Sequence, residues 1–205
     1  RAAGDAKTIT DIRFPMLGDH NVQNCLAAIA VALEMNIEAD SIRDALADFG
    51  GVGRRFETKG VSHGVTIIDD YGHHPVEINA ALKAGRMMCG ENKLIAVVQP
   101  HRYSRLADLF VDFCGCFHDA DEVLVADVYA AGETPIDDIN RDSLVNGLRD
   151  HGHKAASALL HRDDLAAEIK ARTSAGDLVM CLGAGDITNW AATLPDELDK
   201  LGDSE

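Results

Sequence analysis

From residue 54 to the end of the chain, short apolar runs alternate with amphipathic segments, and this rhythm leaves few folds open. The runs include Leu94-Ile95-Ala96-Val97-Val98, Val123-Leu124-Val125-Ala126 and Leu178-Val179-Met180-Cys181-Leu182. They show no in–out alternation, as expected of strands buried on both faces. Segments of helical period at 76–88, 104–118, 141–150, 162–172 and 186–199 separate strands expected at 64–68, 93–98, 122–128, 155–160 and 177–182. A strand at 56–61 pairs with 64–68 through a Ser62-His63-Gly64 turn. The pattern predicts an α/β fold, a mostly parallel sheet with helices on both faces. Right-handed crossovers then bring the loops at the carboxyl ends of the strands to one edge.

The first fifty residues follow another rule. Residues 1–18 alternate weakly and read as a last strand or hairpin. A helix begins near Gly18-Asp19, with Val22, Leu26, Ile29 and Leu33 as its apolar face, and a second at Asp40-Ser41 uses Ile42, Leu46 and Phe49. Gly50-Gly51-Val52-Gly53 stops that helix and reads as a hinge. Two helices and a strand cannot bury a core alone, so 1–50 read as the tail of a larger domain and 51–205 as a second domain.

Charge narrows the partners. A formal net charge of −15 over 205 residues argues against a nucleic-acid backbone as ligand. Neither a membrane-spanning run nor a signal-peptide layout is visible, and the five cysteines show no CxxC or zinc spacing. That usage suits free thiols in a reducing cytoplasm. The nine histidines lack metal-ligand spacing, and adjacent His73 and His74 cannot easily converge on one ion.

Four loops gather polar residues at the expected carboxyl edge. Asp69-Asp70-Tyr71-Gly72-His73-His74-Pro75 places two acids, a phenol and two imidazoles on one strand-to-helix turn, more than turn formation needs. Gln99-Pro100-His101-Arg102-Tyr103-Ser104-Arg105 is cationic, and Arg105 opposes the dipole of the helix it enters. The arginine fork suits carboxylate or phosphate. Asp127 to Glu133 and Gly183-Ala184-Gly185-Asp186 complete the edge. The glycine pair lacks the third glycine of a dinucleotide fingerprint, which weakens a nicotinamide-oxidoreductase reading and favours close backbone packing. Asn21 and Asn24, one turn apart, suit either an adenine edge or a helix cap. Arg54 and Arg55 read equally as phosphate ligands or solvated charges.

In order, His20-Asn21-Val22-Gln23-Asn24, Gly53-Arg54-Arg55-Phe56-Glu57, the Asp69–Pro75 heptapeptide, Gln99 to Arg105 and Asp127 to Glu133 resemble the Mur ligase family of ATP-dependent amide-forming enzymes. The resemblance covers about residues 15–195. It implies a Rossmann-like domain preceded by a helical remnant of the central ATPase domain. It places Asn21 and Asn24 at the ATP adenine, Arg55 at phosphate and Asp70 near the ribose. Tyr71, His73, His74, His101, Arg102 and Arg105 fall at the amino-acid end of the site, and Arg55, Asp70, His101, Arg102 and Arg105 are the implied catalytic set. The Tyr-Gly-His-His and Gln-Pro-His-Arg forms most resemble members that join L-alanine to UDP-N-acetylmuramate in peptidoglycan synthesis. ATP would activate the muramate carboxylate as an acyl phosphate, which the amine then attacks.

No Gly-Lys step of a Walker A loop occurs here. The phosphate loop, the Mg²⁺ ligands and the UDP-binding domain are therefore expected upstream, and the isolated chain is expected to be inactive. A muramyl-tripeptide recycling ligase of the same family and a non-catalytic nucleotide-binding domain are the competing readings.

Overall fold

The computed structural model describes residues 8–16 and 18–202, excluding the side chains of Asp19 and His20. The expectations for residues 1–7, for Leu17 and for the His20 side chain lie outside the described residues. The chain divides into two compact units, Arg1–Val52 and Gly53–Glu205.

In the first unit, residues 8–16 form no strand, contrary to expectation. They have no described partner strand, and Ile9, Ile12 and Phe14 instead pack against the buried Cys25, Ile29 and Ile42. Helices α1 (Asp19–Glu34) and α2 (Ala39–Ala47) follow. The apolar face of α1 also needs correcting. Val22 and Leu26 are 52% and 60% exposed, whereas Asn21, Cys25 and Ile29 are buried. Helix α1 is apolar on more than one side, so periodicity alone could not say which side meets Ile42.

The second unit is a six-stranded sheet in the order β1-β2-β6-β3-β4-β5. Strands β1 (Glu57–Ser62) and β2 (Val65–Asp70) form an antiparallel hairpin. His63 and Gly64 make its turn with φ of 48° and 81°, the handedness that matches strand twist. The remaining neighbours pair in parallel: β2 with β6 (Leu178–Leu182), β6 with β3 (Leu94–Val98), β3 with β4 (Glu122–Val125), and β4 with β5 (Ala156–Ala158).

Helices α3 (Pro75–Cys89), α5 (Phe110–Gly115) and α6 (Arg141–Asp150) supply one core, with Ile78, Leu82, Phe113 and Leu148 against Ile68, Ala96 and Met180. Helices α7 (Leu165–Arg172) and α8 (Ile187–Gly202) supply the other, with Ile169, Ile187 and Leu194 against Ile67, Val97 and Val179. Alternate residues of β2, β3 and β6 thus enter opposite cores, which is why these strands read as unbroken apolar runs. Each fully buried aliphatic side chain contributes about 1.5–3 kcal/mol. The helix expected at 104–118 is two pieces, α4 (Tyr103–Asp108) and α5, separated at Leu109, whose ψ of 21° leaves the helical range. All five cysteines are free and buried. Among the described residues no helix is long and apolar enough to cross a membrane.

Candidate functional site

The four polar loops follow β2, β6, β3 and β4, which are consecutive neighbours in the sheet, so their ends stand side by side. At the end of β2, the Asp70 carboxylate accepts from Phe56 N–H (2.8 Å) and Gly72 N–H (2.7 Å). Expected near a ribose, Asp70 is thus also a clamp between the lead-in to β1 and the turn after β2. Its neighbour Asp69 is fully buried and accepts from the Thr188 hydroxyl at 2.6 Å. Asp69 also lies 3.5 Å from Arg54 Nε and 3.7 Å from Lys59 Nζ.

Pro75 opens α3 with its fixed φ, and His74 is the N-cap, its Nδ1 accepting from Val76 N–H at 3.3 Å. Glu77 reaches back to the N–H groups of His73 (3.1 Å) and His74 (3.4 Å). His74, expected among the substrate-binding residues, thus also caps α3 through Nδ1.

Rings then form a chain across the edge. Tyr71 meets His73 edge-on at 5.0 Å, His73 meets His101 at 6.0 Å, and His101 stacks on Tyr129 at 5.4 Å and 13°. A parallel bridge pairs His101 with Tyr129, and Arg102 N–H donates to the Tyr129 carbonyl at 2.9 Å. Arg105 Nη1 donates to the His101 carbonyl (3.0 Å) and ring Nδ1 (3.2 Å). Arg102, at φ 73°, lies 3.7 Å from Glu133, which itself accepts from the Ser104 N–H and hydroxyl. Those two bonds hold the Glu133 carboxyl below the usual range. Burial, followed by the charges of Arg105, His73 and Arg102, holds the His101 imidazole below its ordinary value, so it is neutral near pH 7.

The sequence leaves Arg54 and Arg55 open between phosphate ligand and solvated charge, and the family resemblance places Arg55 at phosphate. Both guanidinium groups lie over Tyr71, at 4.9 and 5.5 Å from the ring centroid. Arg54 does more: it donates to the Gly183 carbonyl at 2.5 Å, and its own carbonyl accepts from Tyr71 N–H at 2.7 Å. No local signal announces a bond across 129 residues. Gln99 is a second omission, since its amide donates to Asp186 (2.7 Å) and accepts from Ile187 N–H (3.3 Å), tying β3 to α8. Gly183 has φ 151°, and a Cβ there would sit 2.7 Å from the Gln99 carbonyl; one on Gly185 would sit 2.7 Å from the Tyr129 ring. Close packing explains both glycines. In the other unit, Asn21 is buried and Asn24 exposed on α1. Among the described residues no cluster of three or more His, Cys, Asp or Glu forms a metal site. The arrangement offers Arg55, Arg102 and Arg105 beside a neutral imidazole and a phenol, a setting for anionic groups.

Comparison with known proteins gives this site a context. The family profile described as Mur ligase, glutamate ligase domain, matches residues 54–185. The chain is 57% identical over 201 residues to UDP-N-acetylmuramate–L-alanine ligase of Rhodospirillum centenum, covering 98% of this chain and 42% of that protein. It is 59% identical over 194 residues to the enzyme of the same name from Phenylobacterium zucineum, covering 95% and 40%. In structure it is similar to UDP-N-acetylmuramate-alanine ligase of Thermotoga maritima, with a TM-score of 0.77, 26% identity, and coverage of 98% of this chain and 42% of that one. A murein peptide ligase from Psychrobacter arcticus shares the fold at a TM-score of 0.65 and 22% identity, covering 95% and 40%. The chain thus spans about two fifths of the length of the relatives it matches. With the profile over most of the second unit and these relatives along nearly its whole length, the chain belongs to the Mur ligase family.

Proposed function

We propose that this chain is the carboxy-terminal part of an ATP-dependent ligase that joins L-alanine to UDP-N-acetylmuramate through an acyl phosphate, in the cytoplasm, for peptidoglycan synthesis. The observation that carries the reading is the ring and guanidinium edge running from Arg55 and Tyr71 to His73, His101 and Tyr129, flanked by Arg102 and Arg105. The 57–59% identity to ligases of that name supports it.

In this reading residues 1–50 end a central ATP-binding domain, and the exposed Val22, Leu26 and Val31 of α1 suit a helix with further apolar partners. Asn21 and Asn24 take the adenine. Arg55 holds phosphate, and Asp70 keeps the turn shaped at the nucleotide's ribose. Tyr71, His73, His101, Arg102 and Arg105 orient the muramate and amino-acid ends, where fixed positive charge stabilises the leaving phosphate. The described residues do not fit a Mg²⁺ site, and its ligands belong to the rest of the polypeptide.

Phosphate release by the full-length protein tests the reading. UDP-N-acetylmuramate, ATP and Mg²⁺ are supplied with L-alanine or with a muramyl tripeptide's peptide, and release with L-alanine alone is expected. Release with the tripeptide alone moves the function to cell-wall recycling; silence with both leaves a binding domain.

A further inference from the structure

The two histidines that meet at the centre of the carboxyl edge have different hydrogen-bond partners on the same ring atom. His73 Nδ1 lies 2.9 Å from the Tyr71 carbonyl and 3.4 Å from a Glu77 carboxylate oxygen. Both are acceptors, so Nδ1 carries the proton and Nε2 the lone pair. His101 Nδ1 lies 3.2 Å from Arg105 Nη1. A guanidinium only donates, so here Nδ1 is the acceptor and the proton of the neutral ring sits on Nε2. The centroids are 6.0 Å apart, close enough for one bound substrate to meet both rings. Among the described residues neither Nε2 has a hydrogen-bond partner.

We infer that His73 and His101 are held in opposite tautomers, making His73 Nε2 the base that deprotonates the attacking ammonium and His101 Nε2–H a donor to a substrate oxygen. The inference rests on the ligase reading above. An amino acid arrives as an ammonium ion and cannot attack until it loses a proton. His73 Nε2 takes that proton, the freed amine forms a C–N bond to the acyl-phosphate carbon, and the C–O bond to phosphate breaks with its electron pair leaving on phosphate. The nitrogen's second proton leaves to solvent as the amide forms. The surroundings divide the labour. His73 faces the Glu77 carboxylate, the Tyr71 phenol and the His101 ring, and the Glu77 and Tyr71 acceptors fix its Nδ1–H. Burial disfavours protonation of His101, the neighbouring Arg105, His73 and Arg102 add to it, and Glu133 opposes them. Two imidazoles that present a lone pair and an N–H to the same space can divide acceptor and donor roles on one site.

The test uses the full-length ligase labelled with ¹⁵N-histidine. Long-range ¹H–¹⁵N correlation should show His73 with a pyrrole-type Nδ1 and His101 with a pyrrole-type Nε2; the same tautomer in both overturns the inference. His73→Gln should lower kcat about 100-fold near pH 7, the range of a lost general base. ADP formation in a single turnover without amino acid should be unchanged, and activity should recover about tenfold per pH unit as free amine accumulates. A loss that ignores pH, or one that extends to ADP formation, overturns the base assignment. His101→Gln keeps an N–H donor and should stay within about tenfold of wild type. Because His73→Gln alters the start of α3, Glu77→Gln serves as the control for that turn: it keeps both imidazoles, so its kcat should stay well above that of His73→Gln, and an equal loss contradicts the base assignment. Opposite tautomers in a protein that never ligates an amino acid would overturn the functional reading and the base assignment with it; matching tautomers in a protein that ligates L-alanine would overturn the inference alone.

Discussion

The two edges of the sheet use charge in opposite ways. At the amino edge every named charge is tied to the scaffold. Asp177 accepts from the N–H groups of Lys93 and Ser174, both at 2.8 Å. Arg86 donates to the carbonyls of Asp119, Gly90 and Asn92 and to the Asp121 carboxylate. Glu122 takes Lys93 at 2.9 Å and Arg172 at 3.0 Å. At the carboxyl edge, Arg55 lies over a ring, Arg105 donates to a carbonyl and an imidazole, and Arg102 is 3.7 Å from Glu133. One edge closes its charges on itself; the other ties down Arg54 and Arg141 with Asp69 and Asp127 but holds Arg55, Arg102 and Arg105 with little neutralisation. Fixed cations with weak internal partners stabilise anions that arrive later.

The largest effect that could break this contrast is on turnover. Arg55→Ala in the full-length protein is expected to lower kcat about 100- to 1000-fold, the range of a lost oxyanion donor. Its unfolding free energy should stay within about 0.5 kcal/mol of wild type. Asp177→Ala should do the reverse. Removing a buried carboxylate from two backbone donors costs about 2 kcal/mol in urea unfolding, with kcat unchanged. A catalytic loss in a stable Asp177→Ala protein would erase the distinction between the edges.

The smallest effect is acid stability. Burial would raise the Asp121 carboxyl, but Leu94 N–H and Arg86 outweigh it, and Lys93 and Arg172 do the same for Glu122; both sit below their ordinary values of 3.8 and 4.5. A depressed folded value means that the unfolded chain takes up protons first. These carboxylates therefore add stability above about pH 4.5, and it is lost as pH falls through the folded values. Unfolding midpoints of Asp121→Asn/Glu122→Gln should fall less steeply below that pH than those of wild type.

How much of this was legible beforehand differs by edge and by level. Continuous apolar runs such as Leu94 to Val98 announced strands covered on both sides, and the sheet has two cores as a result. The loops after β2, β3, β4 and β6 were legible because polar, glycine-rich residues interrupt those runs. Their contacts were not. Tyr129 pairs with His101, and Arg54 reaches Gly183, through strand order that local pattern does not encode. The capping role of His74 was not legible either, because a capping histidine and a ligand-facing one are identical in composition. The break at Leu109 and the buried side of α1 escaped for a related reason, since helical period says that a face exists and not which neighbour fills it.

The most direct test sets one arginine from each edge side by side in the full-length protein, Arg105→Ala against Arg86→Ala, with phosphate release and urea unfolding measured on both. The account predicts that Arg105→Ala loses turnover while unfolding stays within about 0.5 kcal/mol of wild type. It predicts that Arg86→Ala loses about 2–3 kcal/mol of stability while the folded fraction turns over normally. Normal turnover in a folded Arg105→Ala protein, or a catalytic defect in a stable Arg86→Ala protein, would contradict the assignment of the carboxyl edge as the site.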